Sequence, residues 1–330
     1  MRPSLPTLAA LALTLSVTGQ ALAAGEATKL LPNLADRVAK AAREEPAVDP
    51  GRFGDHPANK AFGAFQRGLY ITAHNLAKPL AEKGDAAAQL LMAELLSRGL
   101  GVKRDPKTAA SWYVKAAEQN VPEAKFQYAL LLLDGKLVEK DKDKAFRLMG
   151  EAAAEGNRLA RFNYAQMLMD RVPGEKGLTE ALPWFEKAAR QGLPDAQYAL
   201  AQFHAVGAAG AAKDEVLARK WLELSARGGY DTAMVELGVW LVDGRGGERR
   251  YEEGFNWLHN AALGGNVAAQ NLVAKLYRQG IGVEGNSIEA AAWYVLARRA
   301  GLDDREMNVF MDGLTTEQQK TAIERANRLR

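Results

Sequence analysis

The 330-residue sequence predicts an all-α protein built from stacked pairs of helices. Three observations support this fold class. Ala, Leu, Gly, Lys and Glu are abundant and proline is sparse, which is typical of helices joined by short loops. An alanine recurs at a nearly constant spacing along the chain, and glycines recur at fixed distances after it. Such a period indicates a helical array, because stacked neighbours bury the apolar face that one helix pair cannot bury alone.

The amino terminus is typical of a secretion signal. Arg2 precedes an apolar stretch from Leu5 to Val17, and Ala21-Leu22-Ala23 follows, so residues 1–23 are predicted to be a signal peptide cleaved after Ala23. The alternative is an uncleaved anchor, but this stretch of about 13 residues is shorter than the ~20 that span a bilayer. We therefore expect export to a bacterial periplasm, with no transmembrane segment after cleavage. The chain has no cysteine, so disulfides and lipid attachment at a cysteine are excluded.

Residues 24–57 are rich in Pro, Gly and charge and are predicted to form a mostly irregular linker, in which residues 34–44 could form one helix. Residues 58–84 have the spacing of a shortened amino-terminal repeat. Six full repeats then cover residues 85–302. The spacing between their leading alanines is 36 residues, with one spacing of 37 that accommodates the loop 206–213; these alanines are Ala88, Ala124, Ala160, Ala196, Ala233 and Ala269.

Each repeat contains further residues at fixed distances from its leading alanine. A small residue at offset +5 allows two helices to approach closely, and a glycine at offset +11 is expected to end the first helix in the left-handed conformation. The third repeat has Arg171 at that offset, so we expect its loop to differ. A second glycine ends the second helix, with Asn120 taking its place in the first repeat.

The second helix of each repeat has one position that is almost always tryptophan. It is occupied by Trp112, Leu148, Trp184, Trp221, Trp257 and Trp293. Because tryptophan is the largest side chain, we expect it to fill the core of each repeat, and Trp→Ala to cost about 3–5 kcal/mol.

The pattern resembles the Sel1-like repeat family, a relative of the tetratricopeptide repeat. The resemblance covers residues 85–302. Its first copy is carried by Gly99-Leu100-Gly101-Val102, Asp105, Ala109, Trp112 and Ala116-Ala117, and its sixth copy by Gly280-Ile281-Gly282-Val283, Ala290, Trp293 and Ala297. The resemblance implies a right-handed α/α superhelical solenoid that acts as an adaptor. Residues 303–330 are predicted to be capping helices, because Thr315 and Gln318 have the spacing of a capping box.

The sequence indicates no catalytic, cofactor or metal site. None of the four histidines (His56, His74, His204 and His259) is paired with another at helical spacing, so no zinc site is expected. The segment Gly244-Arg245-Gly246-Gly247 lacks the Lys-Ser/Thr ending of a phosphate loop. The formal net charge is only +3 and is not concentrated in a basic run, so nucleic acid is not an expected partner.

The candidate binding surface is the face of the first helices opposite the predicted core, at offsets +2, +6 and +9 from each leading alanine. This stripe is apolar and aromatic in the middle repeats and basic in the last. We hypothesise a concave groove for a partner peptide, and the alternative is that the stripe packs as inner core. The candidate groove residues are Phe126, Leu130, Leu133, Phe162, Gln166, Met169, Tyr198, Gln202, Lys275 and Arg278.

The sequence thus predicts a non-enzymatic periplasmic scaffold or adaptor that binds an exported or membrane-anchored protein. The array and the segment at 61–68 resemble the periplasmic exopolysaccharide regulators of rhizobia, which restrain a membrane sensor kinase. The alternative function is a cell-wall-associated enzyme or a penicillin-binding-type activity. Exported Sel1-like proteins linked to penicillin binding have a disulfide in each repeat, and this chain has no cysteine to form one.

Overall fold

The computed structural model describes residues 57–329. The predicted signal peptide and its cleavage site, the suggested helix at 34–44, and all of the linker except its last residue lie outside the described residues. Within them are sixteen helices and no strand, which confirms the predicted all-α class. None of the helices in this described part is long and apolar enough to cross a membrane.

In chain order, the helices are α1 (Pro57–Gln66), α2 (Tyr70–Glu82), α3 (Ala86–Arg98), α4 (Pro106–Glu118), α5 (Pro122–Asp134), α6 (Lys142–Ala154), α7 (Arg158–Arg171), α8 (Glu175–Arg190), α9 (Pro194–Val206), α10 (Glu215–Arg227), α11 (Asp231–Asp243), α12 (Tyr251–Leu263), α13 (Val267–Gln279), α14 (Ser287–Arg299), α15 (Arg305–Asp312) and α16 (Thr316–Arg328).

The chain divides into two compact units, and the division falls within α4, between Ala109 and Ala110. In the first unit, α1, α2 and α3 pack against one another. In the second unit, every helix from α5 to α13 packs against the next helix in the chain, and α14 packs against α16. This order of hairpin upon hairpin is the arrangement expected of a solenoid, in which each repeat contacts its neighbours.

The first helices contain the positions that the spacing predicted as core. All six leading alanines are fully buried, and so are the five alanines at offset +5. The sixth small residue, Gly238, is also buried, and a Cβ added there would lie only 2.5 Å from Cγ of Leu258. The prediction that small residues let the two helices of a repeat approach closely is therefore confirmed.

The helix ends also follow the predicted pattern. Gly99, with φ of 69°, ends α3 in the left-handed conformation, and the equivalent glycines after α5, α9, α11 and α13 do the same. Asn120 has φ of 61° and takes the place of glycine after α4. The third repeat differs as expected, since α7 is followed by Val172 at φ −125°.

The tryptophan position is where the sequence prediction is wrong. Trp293 is buried, but Trp112, Trp184, Trp221 and Trp257 are partly exposed. The core of each repeat is filled by the next residue, which is turned about 100° further round the helix. These side chains are at most 6% exposed: Tyr113, Met149, Phe185, Leu222, Leu258 and Tyr294. A loss of about 3–5 kcal/mol on Trp→Ala is accordingly expected at Trp293 alone.

The last two helices, α15 and α16, follow the sixth repeat, and the start of α15 is capped like the start of a first helix. The backbone N–H of Met307 donates to the Asp304 carboxylate at 3.1 Å, just as the N–H of Ala269 donates to the Asn266 side chain at 2.9 Å. Met307 is fully buried and thus occupies the leading position of a repeat. The predicted capping box at Thr315 is confirmed at the start of α16.

Candidate functional site

The ten candidate groove residues lie on four first helices of the second unit, α5, α7, α9 and α13. Phe126 is 4% exposed, and the other nine are partly exposed. Several of them face the following repeat. Gln202 on α9 reaches α11, and the rings of Tyr198 and Tyr230 lie 5.1 Å apart across the same boundary. These are the packing contacts that the sequence left open as an alternative, and the binding of a partner at the stripe stays a prediction.

Phe162 shows a second kind of contact. Its ring lies 5.5 Å from the ring of Phe185 on α8, the second helix of its own repeat. Phe185 in turn lies 5.8 Å from Phe203 on the first helix of the next repeat. Phe162 is thus one end of an aromatic row that joins two repeats.

The two basic stripe residues, Lys275 and Arg278, form ion pairs with acidic residues at the start of α15. The Lys275 ammonium lies 2.7 Å from the Asp304 carboxylate and 3.3 Å from that of Glu306, which also pairs with Arg278. Burial alone would raise the pKa of Asp304, but hydrogen bonds from Lys275, Asn271 and the Met307 N–H lower it to about 2. These ion pairs hold the start of α15 against α13.

A carboxylate that sequence reasoning missed lies beside the stripe. Glu236 on α11 accepts a hydrogen bond of 2.8 Å from the Gln202 amide and another from the Tyr198 hydroxyl. Together with Tyr230, at the start of α11, these residues form what we call the Glu236 cluster: Tyr198, Gln202, Tyr230 and Glu236. All four side chains are partly exposed.

The electrostatics of the cluster are dominated by burial. Burial raises the pKa of Glu236, and hydrogen bonds from Tyr198 and Gln202 with the charge of Arg245 oppose this without cancelling it. Burial and the Glu236 charge also raise the pKa of Tyr198, which keeps its hydroxyl protonated as a donor. The cluster is therefore a partly desolvated carboxylate held by neutral hydrogen-bond donors.

Arg245 is directed elsewhere. Its guanidinium stacks on Trp240, with Cζ 4.0 Å from the ring centroid, and its Nε lies 3.2 Å from the Glu215 carboxylate. Among the described residues, no cationic side chain forms an ion pair with Glu236. The negative charge of Glu236 is left without a direct counter-ion.

A second charged residue, Lys125, is more deeply buried than Glu236. Lys125 is 3% exposed, and its ammonium lies 3.0 Å from Glu151 and 2.7 Å from Glu155. Burial opposes its charge, but the hydrogen bonds to the two glutamates outweigh burial and raise the pKa of Lys125. In three other repeats this position is a glutamine that donates to a backbone carbonyl of the preceding helix. Lys125 therefore has a packing role, in contrast to Glu236.

The histidines contribute no metal site in the described part of the chain, where no group of three potential ligands is close enough to hold an ion. His259 stacks on Phe255 and contacts the Trp293 ring, and burial lowers its pKa. His56 lies outside the described residues. The loop at 244–247 packs on α10, where a Cβ at Gly246 would lie 2.2 Å from the Glu215 carbonyl oxygen.

Comparison with known proteins gives the family. The model described as Sel1 repeat matches residues 86–121, 122–157, 158–193, 194–230, 232–266 and 267–302, which is well over half of the chain. The protein belongs to the Sel1 repeat family. The predicted resemblance and its six copies are confirmed, and repeats of this kind typically form non-catalytic scaffolds for protein–protein interaction.

Solved structures show the same fold as this Sel1 repeat protein. A Sel1 repeat protein from Oxalobacter formigenes is 28% identical, with a TM-score of 0.64 over 74% of this chain and 99% of that one. The protective antigen c5321 of uropathogenic Escherichia coli, which has an SLR fold, is 24% identical, with a TM-score of 0.56 over 92% of this chain and 77% of that one. These likenesses confirm the predicted α/α solenoid.

One curated relative is a larger protein. Chitin synthase regulatory factor 3 of Schizosaccharomyces pombe is 28% identical over 125 residues, which are 37% of this chain. The matched region of this Sel1 repeat protein corresponds to only 13% of that relative's length.

Proposed function

We propose that this Sel1 repeat protein is an exported scaffold or adaptor. It binds one protein partner in the periplasm, itself exported or membrane-anchored, and regulates a cell-envelope or signalling process through that contact. The secretion-signal pattern of residues 1–23 supports export. The curated relative from Schizosaccharomyces pombe is by name a regulatory factor, which supports a regulatory role.

The observation that carries the proposal is the surface of neighbouring first helices in the second unit. Side chains such as Leu130, Gln166 and Gln202 lie at the same offset in successive repeats, are partly exposed, and differ from copy to copy. Stacking demands the same small residues in every copy, whereas recognition of one partner requires positions that differ. An extended row of this kind can contact a peptide or a helix over several repeats.

Photo-crosslinking in cells tests the scaffold. A photoreactive amino acid replaces Gln166 on α7, and a matched variant carries it at Lys220, an exposed residue on the second helix α10. We expect one discrete adduct with an exported or membrane protein from position 166 and none from position 220. The proposal is wrong if neither position gives an adduct, or if both give the same set.

Export has its own test. Cell fractionation and amino-terminal sequencing of the full-length gene product should recover a periplasmic chain that begins at Ala24. A chain that stays in the cytoplasm with Met1 and the leader intact would contradict export and leave the crosslinking result to stand by itself.

A further inference from the structure

We infer that the Glu236 cluster receives one basic side chain, lysine or arginine, from the partner of this protein. The inference rests on the proposed function and specifies the chemistry of the contact. It concerns a single position between the fourth and fifth repeats, where Tyr198 and Gln202 on α9 meet Glu236 on α11.

The Glu236 carboxylate can accept one further hydrogen bond. An ionised carboxylate accepts about four hydrogen bonds. Glu236 receives hydrogen bonds from the Gln202 amide, the Tyr198 hydroxyl and the Trp240 indole, all of which are neutral. Its direct hydrogen-bond donors are therefore all neutral, and a cation from the partner would add a charge-assisted hydrogen bond.

The neighbouring cation does not supply that interaction. Arg245 is fixed by stacking on Trp240 and by its ion pair with Glu215. Asp195 adds a second negative charge, which acts on Tyr230 from the start of α9. The local charge is thus complementary to a basic group and unfavourable for a phosphate or carboxylate.

Tyr198 and Tyr230 add aromatic surface to the proposed contact with the basic side chain. The rings of Tyr198 and Tyr230 lie 5.1 Å apart and are tilted by 43°, both residues are partly exposed, and the Tyr198 hydroxyl donates to the carboxylate. Aromatic faces attract ammonium and guanidinium groups, and they cover the aliphatic stem of such a side chain. A carboxylate bound by Tyr198, whose ring packs on that of Tyr230, is suited to a lysine or arginine side chain.

Titration of the full mature chain with short peptides tests the inference. The probes are acetylated and amidated Gly-Arg-Gly and Gly-Lys-Gly, with Gly-norleucine-Gly as the uncharged control. Binding is followed by NMR on the Gln202 side-chain amide and the Trp240 indole N–H. We expect the two basic peptides to bind at least about tenfold more tightly than the norleucine peptide at low salt.

Two variants locate the binding site. Glu236→Gln keeps the shape and hydrogen-bonding capacity of the side chain and should reduce the affinity for both basic peptides to that for the norleucine peptide. Asp170→Asn removes an exposed acid from first helix α7 and should change nothing. Thermal unfolding of each variant confirms that it is folded.

Equal binding of the basic and norleucine peptides, or unchanged binding to Glu236→Gln, overturns the inference. The crosslink from position 166 is scored in the wild-type and Glu236→Gln backgrounds. An adduct in the wild type without selective peptide binding leaves the scaffold standing and rejects the basic contact. The absence of any adduct in the wild type rejects the scaffold, whatever the peptides do.

Discussion

Replacing Gly238 by alanine measures how tightly α11 and α12 pack. The other five repeats have alanine at this offset. Alanine is also favoured over glycine inside a helix by about 0.5–1 kcal/mol. Agreement among repeats and helix propensity therefore both predict that Gly238→Ala stabilises the protein, whereas the contacts of Gly238 predict the opposite.

The new methyl group has no space. Its carbon would lie 2.5 Å from Cγ of Leu258 and 2.9 Å from the carbonyl oxygen of Gly254. Leu258 is 1% exposed and Cγ is the branch point of its side chain, so it cannot turn away. Gly254 is itself a glycine where the equivalent residues are Ala109, Ala145, Ala181, Ala218 and Ala290. The fifth repeat thus has glycine at two facing positions where the other repeats have alanine, and a Cβ at either would lie within 3 Å of the opposite helix.

Overpacking of this kind costs about 1–3 kcal/mol, which exceeds the gain from helix propensity. We expect Gly238→Ala to lower the free energy of unfolding by about 0.5–2 kcal/mol, measured by urea unfolding followed by circular dichroism. Gly313→Ala is the control, since Gly313 has φ of −79° and its nearest atom would be 3.5 Å away. The control should be neutral or stabilising by up to about 1 kcal/mol. If Gly238→Ala raises the urea midpoint as the control does, the packing argument is wrong.

Three further predictions concern one core residue and two partly exposed carboxylates. Leu222→Ala should lower the free energy of unfolding by about 2–5 kcal/mol, against under about 0.5 kcal/mol for exposed Val216→Ala, and similar losses in urea unfolding would contradict the assigned core. Asp304 has its pKa lowered from 3.8 to about 2, so it should contribute about 2 kcal/mol above about pH 4 and lose it as the pH falls toward 2. The stability gap between wild type and Asp304→Asn should close over that range, and a constant gap would reject the ion pair. Glu236 has a raised pKa, so the wild type should gain stability relative to Glu236→Gln as the pH falls from neutrality toward 4.5, and a gap that moves the other way would reject its burial.

Repetition explains why the fold could be predicted from the sequence. Each copy packs its helices in the same way, so the alanine and glycine positions recur along the chain. The physical reason for each position can therefore be compared among six copies. The tryptophan position recurs in five of the six copies, and the prediction that it fills the core of each repeat is nevertheless wrong. A second helix touches the first helix of its own repeat and that of the next, and Leu222 rather than Trp221 points between them. Helical spacing gives the angle between two side chains around the axis of one helix. It does not tell on which side of that helix the neighbouring helices lie.

The same limit applies to the stripe. Offsets +2 and +6 correctly placed Tyr198 and Gln202 on one side of α9. Their contact with Glu236 depends on how α11 lies against α9, which no spacing within one repeat specifies. Residues 303–330 are predicted as capping helices, but the likeness of the start of α15 to a first helix does not emerge from the alanine spacing, for a simpler reason. Met307 follows Ala269 by 38 residues and is not alanine, although Asp304 preserves the capping position three residues before it.

Glu236 is an acidic residue at a position where the repeat pattern requires no charge. The equivalent residues in the other copies are Leu91, Gln127, Asn163, Ala199 and Leu272, so stacking does not require a carboxylate there. Its raised pKa means that the charged form is disfavoured in the folded protein relative to the unfolded chain. Lys125 differs, because two glutamates compensate its burial. Glu236 thus combines a charge that weakens the fold with partial exposure, at a position where a neutral residue could make the repeat contacts. This combination is the reason why we propose the Glu236 cluster as the contact for a basic group of the partner.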